Sequence, residues 1–156
     1  MGRGKGRIES RFDMLREKGE KALIPFLTAG DPDLETTEAL VLAMAAAGAD
    51  IIELGVPFSD PMADGPVIQL ASERAIEKDV SLAGVLDMAS LFRQNDKKTP
   101  VVLMGYMNPV EHFGRTRFPA VATAAGVDGL LLVDCPPEER GDLGVAMNES
   151  GLDGIC

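Results

Sequence analysis

Three segments of the chain share one local grammar: Gly48-Ala49-Asp50-Ile51, Gly126-Val127-Asp128-Gly129-Leu130 and Gly151-Leu152-Asp153-Gly154-Ile155. In each, a glycine is followed by one apolar residue, an aspartate and an apolar run. A glycine just past a helix adopts the left-handed conformation that closes the last turn. The run that follows has the length and apolarity of a buried strand, so each segment reads as a helix C-terminus feeding a strand. Residues 22–27 and 101–104 are further apolar runs. Between the runs lie helical patterns over 36–47, 69–77, 82–93 and 118–125, and residues 8–18 carry the spacing of an additional amphipathic helix ahead of the first strand. Strands alternating with helices define a parallel α/β sheet. The strands are continuously apolar rather than alternating, as in a sheet covered on both faces or closed into a barrel.

Cys156 falls about two residues into what would be a fifth strand. A (β/α)8 TIM barrel runs to about 250 residues. The expected architecture is therefore the N-terminal portion of such a barrel in one domain over residues 1–156: an N-terminal helix, about four βα units and the start of a fifth strand. A doubly wound open sheet is the alternative, but it carries a Gly-rich phosphate turn after its first strand. Thr28-Ala29-Gly30-Asp31-Pro32 is not that fingerprint.

With 46% hydrophobic residues in 156, the chain can bury one sizeable core. Its formal net charge of -10 argues against nucleic acid and anionic membranes as partners. The exception is residues 1–7, where Arg3, Lys5 and Arg7 alternate with glycines and read as a flexible basic arm. Cys135 and Cys156 have neither metal-ligand spacing nor a disulfide framework, which fits a reducing, cytoplasmic setting. No stretch approaches the roughly 20 apolar residues of a membrane span, and the N-terminus lacks the apolar core of a signal peptide.

Residues 51–66 concentrate the chemistry. In an extended strand Ile51 and Glu53 share one face while Ile52 and Leu54 share the other, so Glu53 is framed by apolar neighbours whichever face turns inward. A dehydrated carboxylate has a raised pKa and can exchange protons near neutrality. Pro57, Pro61 and Pro66 stiffen the loop that follows, which presents Asp60 and Asp64. The bland alternative makes these aspartates turn formers. Polar or small groups follow the other strands too: Thr28 and Asp31, Gly105-Tyr106-Met107-Asn108, and Asp134. In a parallel sheet all lie at the C-terminal edge, where barrel enzymes build their sites. Phe26, Met104, Tyr106 and Leu131 would line a flat apolar pocket suited to an aromatic substrate, with carboxylates at its margin. Thr28, Asp31 and Asn108 read equally as helix caps. His112 has no nearby Cys or Ser partner and reads as a surface or capping residue.

The run Glu53-Leu54-Gly55-Val56-Pro57-Phe58-Ser59-Asp60-Pro61-Met62-Ala63-Asp64-Gly65 closely resembles the signature of the tryptophan synthase alpha subunit family. Supporting segments are Pro25-Phe26-Leu27-Thr28-Ala29-Gly30-Asp31-Pro32, Met104-Gly105-Tyr106-Met107-Asn108-Pro109 and Leu132-Val133-Asp134-Cys135-Pro136, in the family's order and spacing. The resemblance implies a (β/α)8 barrel that cleaves indole-3-glycerol phosphate to indole and glyceraldehyde 3-phosphate by a retro-aldol reaction. It implies no metal and no organic cofactor in this chain. Pyridoxal phosphate belongs to the beta subunit, which receives the indole through a tunnel in an alpha2beta2 heterotetramer.

Matched position by position, Glu53 is the family's proton-moving glutamate and Asp64 the aspartate that pairs with the indole N–H. Phe26, Met104, Tyr106, Leu131 and Val133 match the indole pocket, Asp60 and Pro61 the loop that communicates with the beta subunit, and Thr28 and Gln69 positions near the site. The family's later half supplies a phosphate cradle and a mobile lid. Without phosphate anchoring the substrate loses remote binding energy, so the chain alone is expected to be weakly active or inactive. The competing expectation is a non-catalytic folding or interaction fragment that self-associates through its open barrel edge.

Overall fold

The computed structural model describes residues 5–156. Helix α1 (Arg7–Lys18) precedes β1 (Phe26–Thr28), α2 (Leu34–Ala46), β2 (Ile52–Gly55), α3 (Pro66–Ile76), α4 (Leu82–Asn95) and β3 (Val101–Gly105). There follow α5 (Met107–Phe113), α6 (Phe118–Ala124), β4 (Gly129–Leu132), a 3-10 turn (Pro137–Glu139), α7 (Gly141–Ser150) and β5 (Asp153–Ile155). Local chemistry sets several of these boundaries. The Asp33 carboxylate caps α2 by accepting the Thr36 N–H at 2.7 Å, Ser81 caps α4 through the Gly84 N–H at 3.2 Å, and Pro66 opens α3.

The five strands are all parallel and lie in the order β1-β2-β3-β4-β5. Sequential order belongs to a barrel wall. A doubly wound sheet reverses direction at a switch point and is thereby ruled out. The register sets Phe26, Glu53, Val102, Gly129 and Asp153 in one row across the sheet, and Thr28, Gly55, Met104, Leu131 and Ile155 in the row two residues on. Because strand side chains alternate, both rows share one face.

The other face packs under the helices. Ile52, Leu54, Val101, Leu103, Leu130 and Leu132 join Val41 of α2, Val85, Leu86 and Phe92 of α4, Phe118 of α6 and Leu143 of α7 in a single core. Each such aliphatic or aromatic side chain contributes about 1.5–3 kcal/mol by burial. The first face holds a smaller cluster of Ile8, Ile51 and Val102, with Leu131 and Ile155 against it. Ile8 brings α1 to the N-terminal ends of the strands.

There the aspartates of the repeated grammar do more than mark a boundary. Asp50 Oδ2 accepts the Leu23 N–H at 2.8 Å, and its Oδ1 lies 3.5 Å from Arg11 Nη1. Asp128 acts likewise between β3 and β4: Oδ2 accepts the Val101 N–H at 2.9 Å and Arg93 Nη2 at 3.1 Å, and Oδ1 accepts Arg7 Nη1 at 2.7 Å. Each carboxylate thus ties the start of the preceding strand to its own and holds an arginine of α1.

Three expectations are corrected. Strand β1 begins at Phe26 rather than at residue 22, because Pro25 has no N–H and the preceding residues meet the segment leading into β2 only through isolated bonds, as in Asp50 N–H to Leu23 O at 2.9 Å. Helix α3 starts three residues before 69, on Pro66. The basic segment 1–7 is structured where it is described: Lys5 pairs with Asp13, and Arg7 opens α1 with its Nε donating to Lys97 O at 2.9 Å. Residues 1–4 lie outside the described residues.

Candidate functional site

The barrel-facing rows carry Phe26 and Glu53 in the earlier row of the sheet, and Thr28 on β1, Gly55 on β2, Met104 on β3 and Leu131 on β4 in the row toward the C-terminal ends of the strands. Phe26, Glu53, Met104, Leu131 and Val133 are half-buried, and Thr28 is buried. Glu53 sits in register between Phe26 and Val102. Burial among such neighbours pushes its carboxyl above the ordinary glutamate range. The adjacent Gly55 is required by shape, since a Cβ there would lie 2.6 Å from Phe26 Cζ. Its bare backbone leaves the Phe26 ring a bed beside Glu53. A glycine within a strand signals such a close approach.

The loop after β2 is organised by a phenol. Tyr106, only 3% exposed, donates from its hydroxyl to Asp64 Oδ2 at 3.0 Å and accepts the Ala63 N–H at 2.9 Å. Phe58 packs beside it, ring centroids 5.2 Å apart at 33°. Burial, with the carboxylates of Asp64 and Asp134 nearby, raises the Tyr106 pKa against the opposing bond from Ala63. On the other side the Gln69 carboxamide of α3 donates to Asp64 O at 2.9 Å and Pro61 O at 3.5 Å. The carboxylate of Asp64 is therefore carried by a loop fixed from both flanks, whereas Asp60, Met62 and Ala63 are exposed. Asp60, Pro61 and Met62 line a shallow cleft of about 300 Å³ with Ser59, Gln69 and Glu73.

Other polar residues at this edge take structural positions. Asp31 is not a cap: Asp33 caps α2, and Asp31 receives Arg74 of α3 in a two-bonded ion pair at 2.9 and 2.7 Å. That guanidinium holds the Asp31 carboxyl below the usual aspartate value. Asn108 lies inside α5, whose N-cap is Tyr106, and is not a cap either. Asp134 accepts the Met107 N–H at 2.8 Å at the start of that helix. His112 is exposed on α5, as read from the sequence. No group of three His, Cys, Asp or Glu residues among the described residues could hold a metal ion.

Sequential parallel strands, with acidic and aromatic side chains on their barrel-facing side and on the loops that follow them, define a (β/α)8-barrel protein, of which these residues form an N-terminal part. The chain belongs to the tryptophan synthase alpha chain family, whose model matches residues 12–156. It is 60% identical over 149 residues to the tryptophan synthase alpha chain of Thioalkalivibrio sulfidiphilus, an alignment covering 96% of this chain and 56% of that protein. The crystal structure of the alpha subunit from Legionella pneumophila superposes with a TM-score of 0.95 at 45% identity, over 97% of this chain and 58% of that one. A subunit of the tryptophan synthase α2β2 complex from Pyrococcus furiosus superposes with a TM-score of 0.80 at 41% identity, over 85% and 54% of the respective chains. The chain thus spans little more than half the length of the relatives it matches.

Proposed function

We propose that the residues gathered here form the carboxylate side of a lyase site that cleaves indole-3-glycerol phosphate to indole and glyceraldehyde 3-phosphate. The observation that carries the reading is the environment of Glu53, a carboxyl raised in pKa by burial on the barrel-facing side beside Phe26. An acid of this kind can deliver a proton to the ring carbon that bears the glycerol chain and accept the proton of the adjacent hydroxyl. Loss of that hydroxyl proton forms the aldehyde carbonyl, the carbon–carbon bond breaks, and its electron pair returns to the ring to give indole. Asp64, held as a hydrogen-bond acceptor by Tyr106, faces the ring N–H and stabilises the positive charge that develops there. Phe26, Met104, Leu131 and Val133, with Thr28 at the edge, supply the apolar bed for the ring. No metal or organic cofactor takes part in these steps. A pyridoxal-phosphate-dependent beta subunit is the partner, met by the loop bearing Asp60 and Pro61; the protein acts in the cytoplasm.

The test is indole release from indole-3-glycerol phosphate by the chain alone, with a beta subunit, and with a separately supplied C-terminal half of a relative. The chain alone is expected to turn over weakly, because phosphate anchoring supplies much of the binding energy that orients the reacting carbon. Activity restored by the added half and abolished by Glu53→Gln and by Asp64→Asn supports the reading. Full activity in both variants sinks it. A second reading, self-association of a non-catalytic chain, is favoured by the sheet having β1 and β5 as its outermost strands. A dimeric mass in light scattering, together with no turnover in any combination, would select it.

A further inference from the structure

Asp64 lies on a turn closed by its own N–H to Pro61 O at 3.0 Å, and two side chains from different elements grip that turn. Tyr106 holds the carboxylate and the Ala63 N–H; Gln69 holds the backbone carbonyls at both ends, Asp64 O and Pro61 O. Ser59, Asp60, Met62 and Ala63 of the loop are exposed, Met62 to 83%. We infer that Gln69 is a positioning residue, whose carboxamide staples the 61–64 turn so that Asp64 presents its carboxylate to the Tyr106 hydroxyl and to the substrate. For its chemical purpose the inference rests on the lyase reading; its geometry does not.

The donor is what matters. Both partners of Nε2 are carbonyl oxygens, which a leucine cannot engage and a carboxylate repels. Helix α3 is separately anchored by the Arg74–Asp31 ion pair, and the Gln69 N–H remains bonded to Gly65 O at 3.0 Å. Exchanging the side chain therefore releases the turn and leaves the helix in place.

The chain contains one tyrosine and no tryptophan, so near-ultraviolet spectroscopy reports Tyr106 alone. A phenol donating to a carboxylate is quenched in fluorescence and titrates late. The experiment compares tyrosine fluorescence at pH 7 and absorbance titration at 295 nm in the chain and its Asp64→Asn, Gln69→Leu and Gln69→Glu variants, with far-ultraviolet circular dichroism to verify folding. Asp134, which also faces the phenol, is common to all four proteins. Asp64→Asn should raise the fluorescence and lower the titration midpoint by about half a pH unit or more. Both Gln69 variants should move the same way by a comparable amount, and neither should add to the shift in an Asp64→Asn background. Gln69 variants with the parent's spectrum and midpoint would overturn the inference, as would an Asp64→Asn variant that shifts nothing. Should the shifts appear while no lyase activity is found in any combination, the positioning would stand and the lyase reading would fall.

Discussion

Arg93 donates to Gly126 O through both Nε, at 3.2 Å, and Nη2, at 2.8 Å, while its Cγ occupies the place where a side chain on Gly126 would begin. The glycine ends α6 at a φ of +90°, and the arginine comes from α4, so one contact locks two helices at the base of β4. The same guanidinium donates to Asp96 O at 3.0 Å and Thr99 O at 2.9 Å, so its buried donors are well used.

Gly126→Ala should therefore be costly for two reasons that add. The new Cβ would meet Arg93 Cγ at 2.7 Å, and the left-handed backbone disfavours any residue with a Cβ. A loss of about 3 kcal/mol is expected from strain and overpacking together. Urea denaturation checks it; a midpoint equal to the parent's would mean that the Arg93 stem moves aside freely.

Asp128→Asn keeps an acceptor for the Val101 N–H but removes the charge opposite Arg93. Both side chains of that pair are below 10% exposed, at 9% and 8%, so the buried guanidinium would lose its nearer counter-ion and keep only Asp96 at 4.0 Å. A cost of about 3 kcal/mol follows. Asp50→Asn should cost about 1 kcal/mol, because Arg11 stands at 3.5 Å and the site is wetter. Equal losses in the two variants would show that the strand clamp, not the charge, carries the effect.

Glu53 gives a pH dependence of known sign. Its folded pKa lies above the ordinary value of 4.5 because burial penalises the charged form. The native state thus holds the proton longer than the unfolded chain, and stability falls as pH rises from about that ordinary value through the raised one. Glu53→Gln removes this loss. The variant should be more stable than the parent at pH 7, with the gap closing as pH drops below the ordinary value. A gap that widens in acid would contradict the raised pKa.

Met62→Ala should leave the fold unchanged within about 0.5 kcal/mol, since the side chain is 83% exposed. In the proposed function its neighbours Asp60 and Pro61 meet a beta subunit, so the same variant should weaken that association several-fold. Calorimetry of the mixture and thermal melting of the free chain separate the two effects.

Much of this architecture is legible along the chain, and the reasons differ by element. The Gly-x-Asp repeats locate β2, β4 and β5 because a helix end and an apolar strand leave a short-range trace. Helix α5 escapes: it has seven residues, contains Pro109, and is too short for a period to register. Pro66 reads as a loop stiffener although it is the first residue of α3, a choice between two uses of proline that only the following turn decides. At the site, the inward placing of Glu53 beside Phe26 follows from strand alternation, but the grip of Tyr106 on Asp64 spans 42 residues and that of Arg7 on Asp128 spans 121. Contacts of that separation leave no local pattern to read.

That last separation also sets an order of assembly. During synthesis, Arg11 can meet Asp50 as soon as the second strand has left the ribosome. Arg7 can reach Lys97 O once α4 has been made, but has to wait for Asp128 before the first helix gains its second ion pair to the sheet. Until then α1 lacks that ion pair, so the earliest helix made is among the last to be fully fastened.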